Sequence, residues 1–519
     1  MGNTMGRPPK PHLLWEPSKL SKLGAVVKFN KTQCEKLISK LSEAVNETSK
    51  ITDEIKVNSL VEDFNRVFMK ARALIVENTR TDWYTVAINM DSEETFKELL
   101  LEVEIWYISV CTYMKHPPSL TFDPATPKEI SGDLKSLEDC ITKGLSDDSN
   151  RDYECQEQAR FLKYKLNFLS MVKDADSDSV HIFDFDHVHG VHNAKLRSIW
   201  DIISKHDWPL PSSIDTDLYP CYPISKGVFG EVYRVKWMGA ICAVKSYVNE
   251  VDFGNEASIL ATLSHPNIIK FLDYERHENE GNFIVMEHGR DDLSTAINRA
   301  YEDNDPPFPL PVAFDIISQI ARGMRYLHAS EIVHFDLKPS NVLLTEKASH
   351  YFTVKIIDFV LSKRIVKGTG NFTEKNYGTV KFMAPEIMKP RGIKTLNMVV
   401  DPFKSDVYSF AMTCFVILSG RMPFGETYGL RRLHDLIVRD GTKSSLWKPL
   451  ESRYLKRLSG LKDLIEQCRA LNPADRPTFE SICSTLADLK IGFLTGGDFR
   501  IFKSRVSKEP GEDVPSSSM

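Results

Sequence analysis

The residues best suited to chemistry lie close together in the second half of the chain. Asp336 is followed by Lys338 and Asn341, and Asp358 comes directly after an apolar run at residues 354–357. A carboxylate such as Asp336 can accept a hydroxyl proton, and a neighbouring lysine can neutralise a moving phosphoryl group. Amide and carboxylate oxygens are suitable ligands for magnesium. These residues therefore indicate phosphoryl transfer at a magnesium site.

A second set of residues, earlier in the chain, could hold phosphate groups. Gly227 and Gly230 lie between two predicted strands, and glycine lets backbone N–H groups approach phosphate oxygens because it has no Cβ atom. Lys245 ends the next strand and supplies a cation. Glu256 lies in the following helical segment, where its carboxylate could hold the lysine in place. Each residue alone is weakly indicative, but together they predict a phosphate-binding site.

Three further polar residues lie among apolar segments. Glu386 ends the motif Ala384-Pro385-Glu386, Asp406 begins Asp406-Val407-Tyr408-Ser409-Phe410, and Arg476 lies in Asp475-Arg476-Pro477. With the residues above, and in this order, they resemble the motifs of the protein kinase family. The resemblance runs from about residue 215 to 490, which is more than half of the chain.

The resemblance implies a role for each matching residue. Asp336 and Lys338 would be catalytic, and Asn341 and Asp358 would hold Mg²⁺. Glu386 and Arg476 would form a buried structural ion pair. The residues expected to contact ATP are Gly227, Gly230, Val232, Ala243, Lys245, Glu256, Met286 at the gatekeeper position, and Glu287 and His288 in the hinge.

Two features are similar to serine/threonine kinases of the tyrosine-kinase-like group, which is abundant in plants. Lys338 follows Asp336 by two residues, and Gly378-Thr379 precedes Met383-Ala384-Pro385-Glu386. The resemblance implies ATP-dependent transfer of the γ-phosphoryl group to protein hydroxyls, in cytoplasmic signalling. A helical domain before such a kinase resembles lower-plant members of the group.

Three positions depart from the family pattern. Ser225 replaces the first glycine of the phosphate-binding loop, a change that a small residue should tolerate. Phe335 replaces the arginine that holds an activation-loop phosphate, so activity should not depend on that phosphate. Val360 replaces the glycine after Asp358-Phe359, and a β-branched residue restricts the adjoining peptide. The sequence leaves open whether Asp358 is then held inside or outside the site.

These departures keep a second function open. The chain could be a pseudokinase, a nucleotide-binding scaffold or switch that signals through its N-terminal helices. A third hypothesis makes the helical region an adaptor for a signalling partner, and it is compatible with both others. Thr369 and Thr373, between Asp358 and Glu386, are candidate autophosphorylation sites.

The elements that must position these residues change character near residue 206. From about residue 30 to 205 the chain shows helical periodicity, with apolar residues every three or four positions in 61–75 and 96–114. After residue 206, alternating β-branched runs at 231–237 and 241–247 are separated by Met238-Gly239, which predicts a hairpin. These patterns place helices before a strand-rich part, and the resemblance to protein kinases implies an α+β fold class: a two-lobed protein kinase fold preceded by an all-α helical bundle.

The predicted domains follow from these boundaries. They are a flexible N-terminus (1–29), a helical bundle (30–205), a linker (206–217), a protein kinase domain (218–492) and a disordered tail (493–519). The small lobe should be an antiparallel sheet with the helix that carries Glu256, and the large lobe should be helical. The apolar faces of the bundle helices are the right size to form a core of their own. The proline-rich connector at 116–127 could divide that bundle in two.

Composition excludes several other classes of function. The net charge of −5 gives no basic field, so nucleic acid is not expected as a partner. The nine cysteines contain no Cys-x-x-Cys pair, which argues against a zinc site and a disulfide framework. No apolar run approaches the roughly 18 residues of a transmembrane helix. The four histidines between residues 181 and 192 fit no regular ligand spacing and predict a solvated loop.

Overall fold

The computed structural model describes residues 17–49, 58–146, 153–174, 221–276, 281–303, 306–348, 351–365, 378–388, 401–425, 430–439 and 459–495. The predicted linker, the histidine-containing segment, Thr369 and Thr373 lie outside these residues. No helix in the described part of the chain is both long enough and apolar enough to cross a bilayer.

The described part of the N-terminal region is helical, as predicted. Its helices are α1 (Pro17–Gly24), α2 (Lys31–Ser49), α3 (Asn58–Glu77), α4 (Trp83–Asn89), α5 (Glu93–Met114), α6 (Pro127–Ser146) and α7 (Tyr153–Asp174). Asp82 caps the start of α4, where its side chain accepts a hydrogen bond from the backbone N–H of Thr85. The left-handed backbone of Lys115, with φ 56°, ends α5.

Both predicted ends of the folded region differ from the structure. α1 lies inside the segment predicted to be flexible, and Leu20 on this helix is only 1 % exposed. At the other end the last helix continues to Thr495, and Leu494 is buried against α1, α2, α3 and α5. These ends are ordered by contacts with distant parts of the chain, which periodicity over a few residues does not reveal.

The N-terminal helices divide between two hydrophobic cores. The first joins α1, α2, α3 and α5 with Phe122 of the connector and Leu494 of the last helix. The second joins α4, α6 and α7 to one face of the small-lobe sheet, and its centre includes Trp83, Phe161 and Trp237. The expectation that the bundle is sized for its own core is therefore wrong for the second group. The connector is not the dividing line either, since α4 precedes it and packs with α7.

The small lobe is an antiparallel sheet of five strands, in the order β1-β2-β3-β5-β4. The strands are β1 (Cys221–Lys226), β2 (Gly230–Trp237), β3 (Ala240–Tyr247), β4 (Phe271–Glu275) and β5 (Asn282–Glu287). Met238 and Gly239 have φ values of 45° and 80° and form the predicted turn between β2 and β3. Helix α8 (Glu250–Leu260) follows β3, and the side chain of Asn249 caps it by accepting from Val251 N.

The large lobe is mainly helical. Its helices are α9 (Leu293–Asp303), α10 (Leu310–Ala329), α11 (Pro402–Ser419), α12 (Leu430–Arg439), α13 (Ser459–Cys468) and α14 (Phe479–Thr495). Its short strands are β6 (Asp291–Asp292), β7 (Ile332–Val333), β8 (Val342–Ala348), β9 (Tyr351–Ile356) and β10 (Lys363–Arg364), paired as β6-β8-β9 and β7-β10. The two-lobed kinase fold expected from the sequence is confirmed.

Buried ion pairs join the first group of N-terminal helices to the large lobe. Glu102 on α5 lies 2.7 Å from Arg322 on α10 and 3.0 Å from Lys70 on α3. Lys70 also reaches Asp315 on α10, at 2.9 Å. Since the second group packs on the small-lobe sheet, the helical region contacts both lobes.

Candidate active site

The lysine of β3 lies between two carboxylates. Lys245 Nζ is 2.7 Å from Glu256 Oε2 on α8 and 2.8 Å from Asp358 Oδ1. Burial lowers the pKa of Lys245, but the two carboxylates outweigh burial and raise the pKa above its usual value. The lysine therefore stays charged, and the structure brings these three predicted residues together.

Glu256 is held by more than the lysine. Tyr247 donates its hydroxyl hydrogen to Glu256 Oε2 at 2.7 Å, and the backbone N–H of Phe359 donates to Oε1 at 2.9 Å. Glu256 is 1 % exposed. Its two oxygens therefore connect β3, α8 and the segment that carries Asp358. The contribution of Tyr247 was missed from the sequence, where an aromatic residue in a strand suggests only packing.

Asp336 accepts four hydrogen bonds through its carboxylate. Oδ1 accepts from the backbone N–H and the hydroxyl of Thr379, both at 2.8 Å. Oδ2 accepts from Lys338 Nζ at 2.6 Å and from Asn341 Nδ2 at 3.0 Å. A carboxylate has about four acceptor positions, so this one is filled by neighbouring groups. Thr379 also accepts from Lys338 Nζ, at 2.7 Å, so it bridges the two predicted catalytic residues.

A buried aspartate from α11 holds the backbone just before Asp336. Asp406 accepts from the backbone N–H groups of His334 and Phe335, at 2.8 and 2.9 Å. Phe335 has a left-handed backbone, with φ 64°, and its side chain is buried. The departure at this position thus places an apolar side chain in the core. The described residues offer no arginine there for a phosphate.

Asp358 points into the site, which answers the question left open by Val360. Asp358 has φ 67°, and its carboxylate faces Lys245. Phe359 is fully buried with its ring centroid 5.1 Å from that of His334. Val360 is buried as well, and its φ is not in the left-handed region that would favour glycine. Burial raises the pKa of Asp358, but Lys245 outweighs this effect and keeps the pKa below its usual value.

The two glycines of the loop between β1 and β2 meet different constraints. A Cβ atom on Gly230, which has φ 156°, would lie 1.8 Å from the backbone oxygen of Ser246. A Cβ on Gly227 would meet nothing closer than 3.7 Å. The Gly227 N–H donates to Gly230 O at 2.9 Å and closes the turn, with Val228 exposed at its tip. Ser225 pairs with Val232 in the sheet, next to a shift in the β1–β2 register between Pro223 and Ser225.

The hinge residues are contacted from behind by the helical region. Glu287 Oε1 accepts from Lys270 N at 2.7 Å and lies 2.6 Å from Lys355 Nζ. The His288 N–H donates to the hydroxyl of Tyr84 on α4, at 3.4 Å. Glu287 and His288 also line a cavity of about 230 Å³ between the hinge and the helices. The side chain of Glu287 is thus turned toward Lys270 and Lys355. Met286 and Ala243 are paired across β3 and β5.

The predicted structural ion pair lies in the large lobe. Arg476 NH1 is 2.5 Å from Glu386 Oε1, and NH2 is 2.8 Å from Oε2. The guanidinium also lies 5.2 Å from the centre of the Tyr408 ring. The segment that carries Thr379 is thus tied to the helical core by a bidentate pair.

The residues present suit a nucleotide-bound magnesium ion. No group of three or more acidic, histidine or cysteine ligands occurs in the described part of the chain. Magnesium at nucleotide sites takes one or two protein oxygens and completes its shell with phosphate and water. Because Asn341 uses its NH₂ group on Asp336, its amide oxygen is left for a metal, and the carboxylate of Asp358 would suit as a second ligand.

Comparisons with known proteins agree with this geometry. The sequence profile of the protein kinase domain matches residues 222–486. A light-sensor protein kinase of Ceratodon purpureus is 26 % identical over 531 residues, which cover 94 % of this chain and 38 % of that protein. Serine/threonine-protein kinase VIK of Arabidopsis thaliana is 31 % identical over 56 % of this chain and 64 % of its own length. The RAF proto-oncogene serine/threonine-protein kinase of Xenopus laevis is 28 % identical, over 57 % of this chain and 44 % of its own length.

The chain spans less than half the length of the first of these relatives. The domain match by itself covers residues 222–486, which is just over half of the 519 residues here. The match includes the glycine-rich loop, Lys245, Asp336 and Asp358. The chain belongs to the protein kinase family.

Proposed function

We propose that the chain is an ATP-dependent serine/threonine kinase that transfers the γ-phosphoryl group to protein hydroxyls in cytoplasmic signalling. The observation that carries this proposal is the double contact of Lys245 with Glu256 and Asp358. It joins the phosphate-anchoring cation, the helix of the small lobe and the metal-binding carboxylate in one arrangement. Phosphoryl transfer depends mainly on such positioning and on electrostatics.

Each predicted site residue has a proposed role. Gly227 and Gly230 bring backbone N–H groups to the phosphates, and Lys245, held by Glu256, binds them from the opposite side. Asn341 and Asp358 would hold Mg²⁺, which would supply charge neutralisation at the phosphates. The adenine ring would lie among Val232, Ala243, Met286, Glu287 and His288.

Asp336 orients the substrate hydroxyl and accepts its proton. The hydroxyl oxygen forms a bond to the γ-phosphorus while the bond from phosphorus to the bridging oxygen of ADP breaks. Since all four acceptor positions of Asp336 are filled, a substrate must displace one hydrogen bond. The hydroxyl of Thr379 is the group most like the incoming substrate hydroxyl. We therefore expect the hydrogen bond from Thr379 to Asp336 to be the one that is displaced. Lys338 remains to offset charge on the moving phosphoryl group.

The experiment is phosphoryl transfer from labelled ATP to a generic protein substrate, at several millimolar magnesium. Asp336→Asn, which keeps the shape of the side chain, should reduce transfer by about 100-fold or more. The product should carry label on serine and threonine, not tyrosine. Equal transfer by wild type and variant would contradict the assignment of Asp336.

A phosphatase-treated sample belongs in the same experiment. Because Phe335 is buried where the family has a phosphate-binding arginine, dephosphorylated protein should retain its rate. A large loss that preincubation with ATP restores would show that a loop phosphate is needed after all.

The second candidate function is a nucleotide-binding switch that does not transfer phosphate. The contact between Tyr84 and the hinge favours it, since nucleotide binding at the hinge could be sensed by the helical region. The same samples distinguish the two. If neither protein transfers phosphate while ATP and magnesium still raise the melting temperature, the chain is a switch, and a signalling partner of the helices becomes the object of search.

A further inference from the structure

One asparagine on α8 contacts the backbone beyond Asp358 at three points. Asn255 Nδ2 lies 2.8 Å from the carbonyl oxygen of Val360, 3.0 Å from that of Ser362 and 3.3 Å from that of Phe359. Carbonyl oxygens are acceptors, so three of them can surround only the NH₂ end of an amide. The orientation of the Asn255 side-chain amide is therefore unambiguous. Two N–H bonds then serve three acceptors, one of them shared.

The segment that Asn255 contacts is buried. Phe359 and Ser362 are 0 % exposed, and Val360 is 6 % exposed. The Ser362 N–H donates to Phe359 O at 3.0 Å, and its hydroxyl donates to His334 O at 3.2 Å. Asn255 thus connects this turn to α8, as Glu256 also does through the Phe359 N–H.

The side chains of Asn255 and Glu256 hydrogen-bond to the two backbone polar groups of Phe359. Glu256 accepts from the Phe359 N–H, at 2.9 Å, and Asn255 donates to its carbonyl oxygen. Consecutive helix residues project about 100° apart, so one helix can face Lys245 and the turn at once. Fixing both peptide planes of Phe359 also fixes the peptide on the carboxyl side of Asp358. That aspartate has a left-handed backbone, which few residues adopt without support.

We propose that Asn255 is a positioning residue that holds Asp358 in its metal-binding orientation. This inference rests on the proposed role of Asp358 as a magnesium ligand. It also explains how Val360 is tolerated: the turn does not rely on glycine geometry, because its carbonyl groups are held by a side chain from α8. Movement of α8 would release the lysine contact and the turn together.

The test measures magnesium binding and does not depend on catalysis. The melting temperature of the full chain is recorded at fixed ATP while magnesium is titrated, and the half-saturating magnesium concentration is compared between variants. Asn255→Ala should raise that concentration about 10-fold, as expected for the loss of hydrogen bonds to a buried turn. The affinity for ATP without metal, measured by calorimetry, should remain within about two-fold of wild type.

Two other variants keep the result interpretable. Asn255→Leu preserves the volume and removes the donor, so it should behave like Asn255→Ala even if the smaller side chain impairs folding. Ser258→Ala is the matched control, because Ser258 is on the same helix and donates only to the Asn255 carbonyl in its own helix. It should leave the magnesium requirement at the wild-type value.

The outcomes separate this inference from the proposed function. An unchanged half-saturating magnesium concentration in both Asn255 variants would overturn the inference. The inference would also be overturned if metal-free ATP affinity fell as much as magnesium affinity, because that would indicate general damage to the lobe. If wild type binds ATP with magnesium but transfers no phosphate, the proposed function fails while a shift in the Asn255 variants still supports the positioning role. Absence of any magnesium effect in wild type would overturn both.

Discussion

At the scale of single residues, the site tolerates substitution least where a neighbouring backbone atom leaves no room for a Cβ atom. Gly230 faces the carbonyl oxygen of Ser246 in the β2–β3 ladder, which cannot move without breaking strand pairing. Gly227, three residues earlier in the same loop, has space on its Cβ side. Both glycines fit the phosphate-binding pattern, yet their structural requirements differ.

Gly230→Ala and Gly227→Ala therefore form a matched pair. Gly230→Ala should destabilise the chain by about 2 kcal/mol or more, since it combines a backbone clash with an unfavourable φ. Gly227→Ala should change stability by no more than about 0.5 kcal/mol. Melting curves without nucleotide provide the comparison. Equal melting temperatures for the two variants would mean that the loop relaxes away from Ser246.

At the scale of elements, α4, α6 and α7 of the N-terminal region pack their apolar faces on the small-lobe sheet. Trp83 on α4 donates from Nε1 to Met238 O at 2.7 Å, in the turn between β2 and β3. Its ring centroid is 5.4 Å from that of Phe161 and 5.3 Å from that of Trp237, both nearly perpendicular. This edge-to-face cluster joins α4, α7 and β2 in one core.

Trp83→Ala should lower the free energy of unfolding by about 3–5 kcal/mol, because it opens a large cavity in this core. Trp83→Phe keeps most of the ring contacts and loses the hydrogen bond. The lost hydrogen bond should cost about 1 kcal/mol, and the smaller ring should cost a further amount because it buries less apolar surface. Denaturant unfolding measures both. The control is Tyr113→Ala on α5, where the side chain is 38 % exposed and little change is expected. A Trp83→Ala effect as small as the Tyr113→Ala effect would show that α4 is not docked in solution.

At the scale of the whole molecule, buried charges connect the helical region to the large lobe. Glu102 lies between Lys70 and Arg322, and Glu98 reaches Arg325 at 2.6 Å. Burial raises the pKa of Glu102, but the neighbouring cations outweigh it and the net pKa is well below the usual 4.5. Because the folded-state pKa is lowered, the ionised carboxylate contributes stability above pH 4.5 and loses that contribution as the pH falls further.

Glu102→Gln should therefore be strongly pH-dependent in its effect. At pH 7 it leaves two buried cations with fewer partners and should cost about 3–5 kcal/mol. Below pH 4.5 the difference between variant and wild type should shrink as the wild-type carboxylate loses its advantage. Glu43→Gln, which breaks an ion pair with Lys40 nearer the surface, should cost at most about 1 kcal/mol at any pH. A Glu102→Gln effect that stays constant from pH 7 down to about pH 2 to 3, where the wild-type advantage should be falling, would contradict the electrostatic explanation.

Most of the candidate site could be predicted from the sequence because its motifs are short and locally spaced. Asp336, Lys338 and Asn341 lie in one loop, and the glycine loop, Lys245 and Glu256 follow one another in order through β2, β3 and α8. The helical character of the N-terminal region followed from periodicity, and the two-lobed fold followed from the resemblance to protein kinases. The catalytic roles of the site residues and the bounds of the linker remain predictions.

Tertiary structure alone decided what the helices pack against and how the site is held. An amphipathic pattern shows that a helix buries one face, but it carries no information about the partner surface. The contacts of Trp83 with Met238 and of Glu102 with Arg322 join residues far apart in the chain. The same holds for Asn255, whose donor meets carbonyl groups more than a hundred residues away. The sequence thus determined the chemistry of the kinase site, while long-range packing determined that the helical region braces both lobes and that Asp358 points inward.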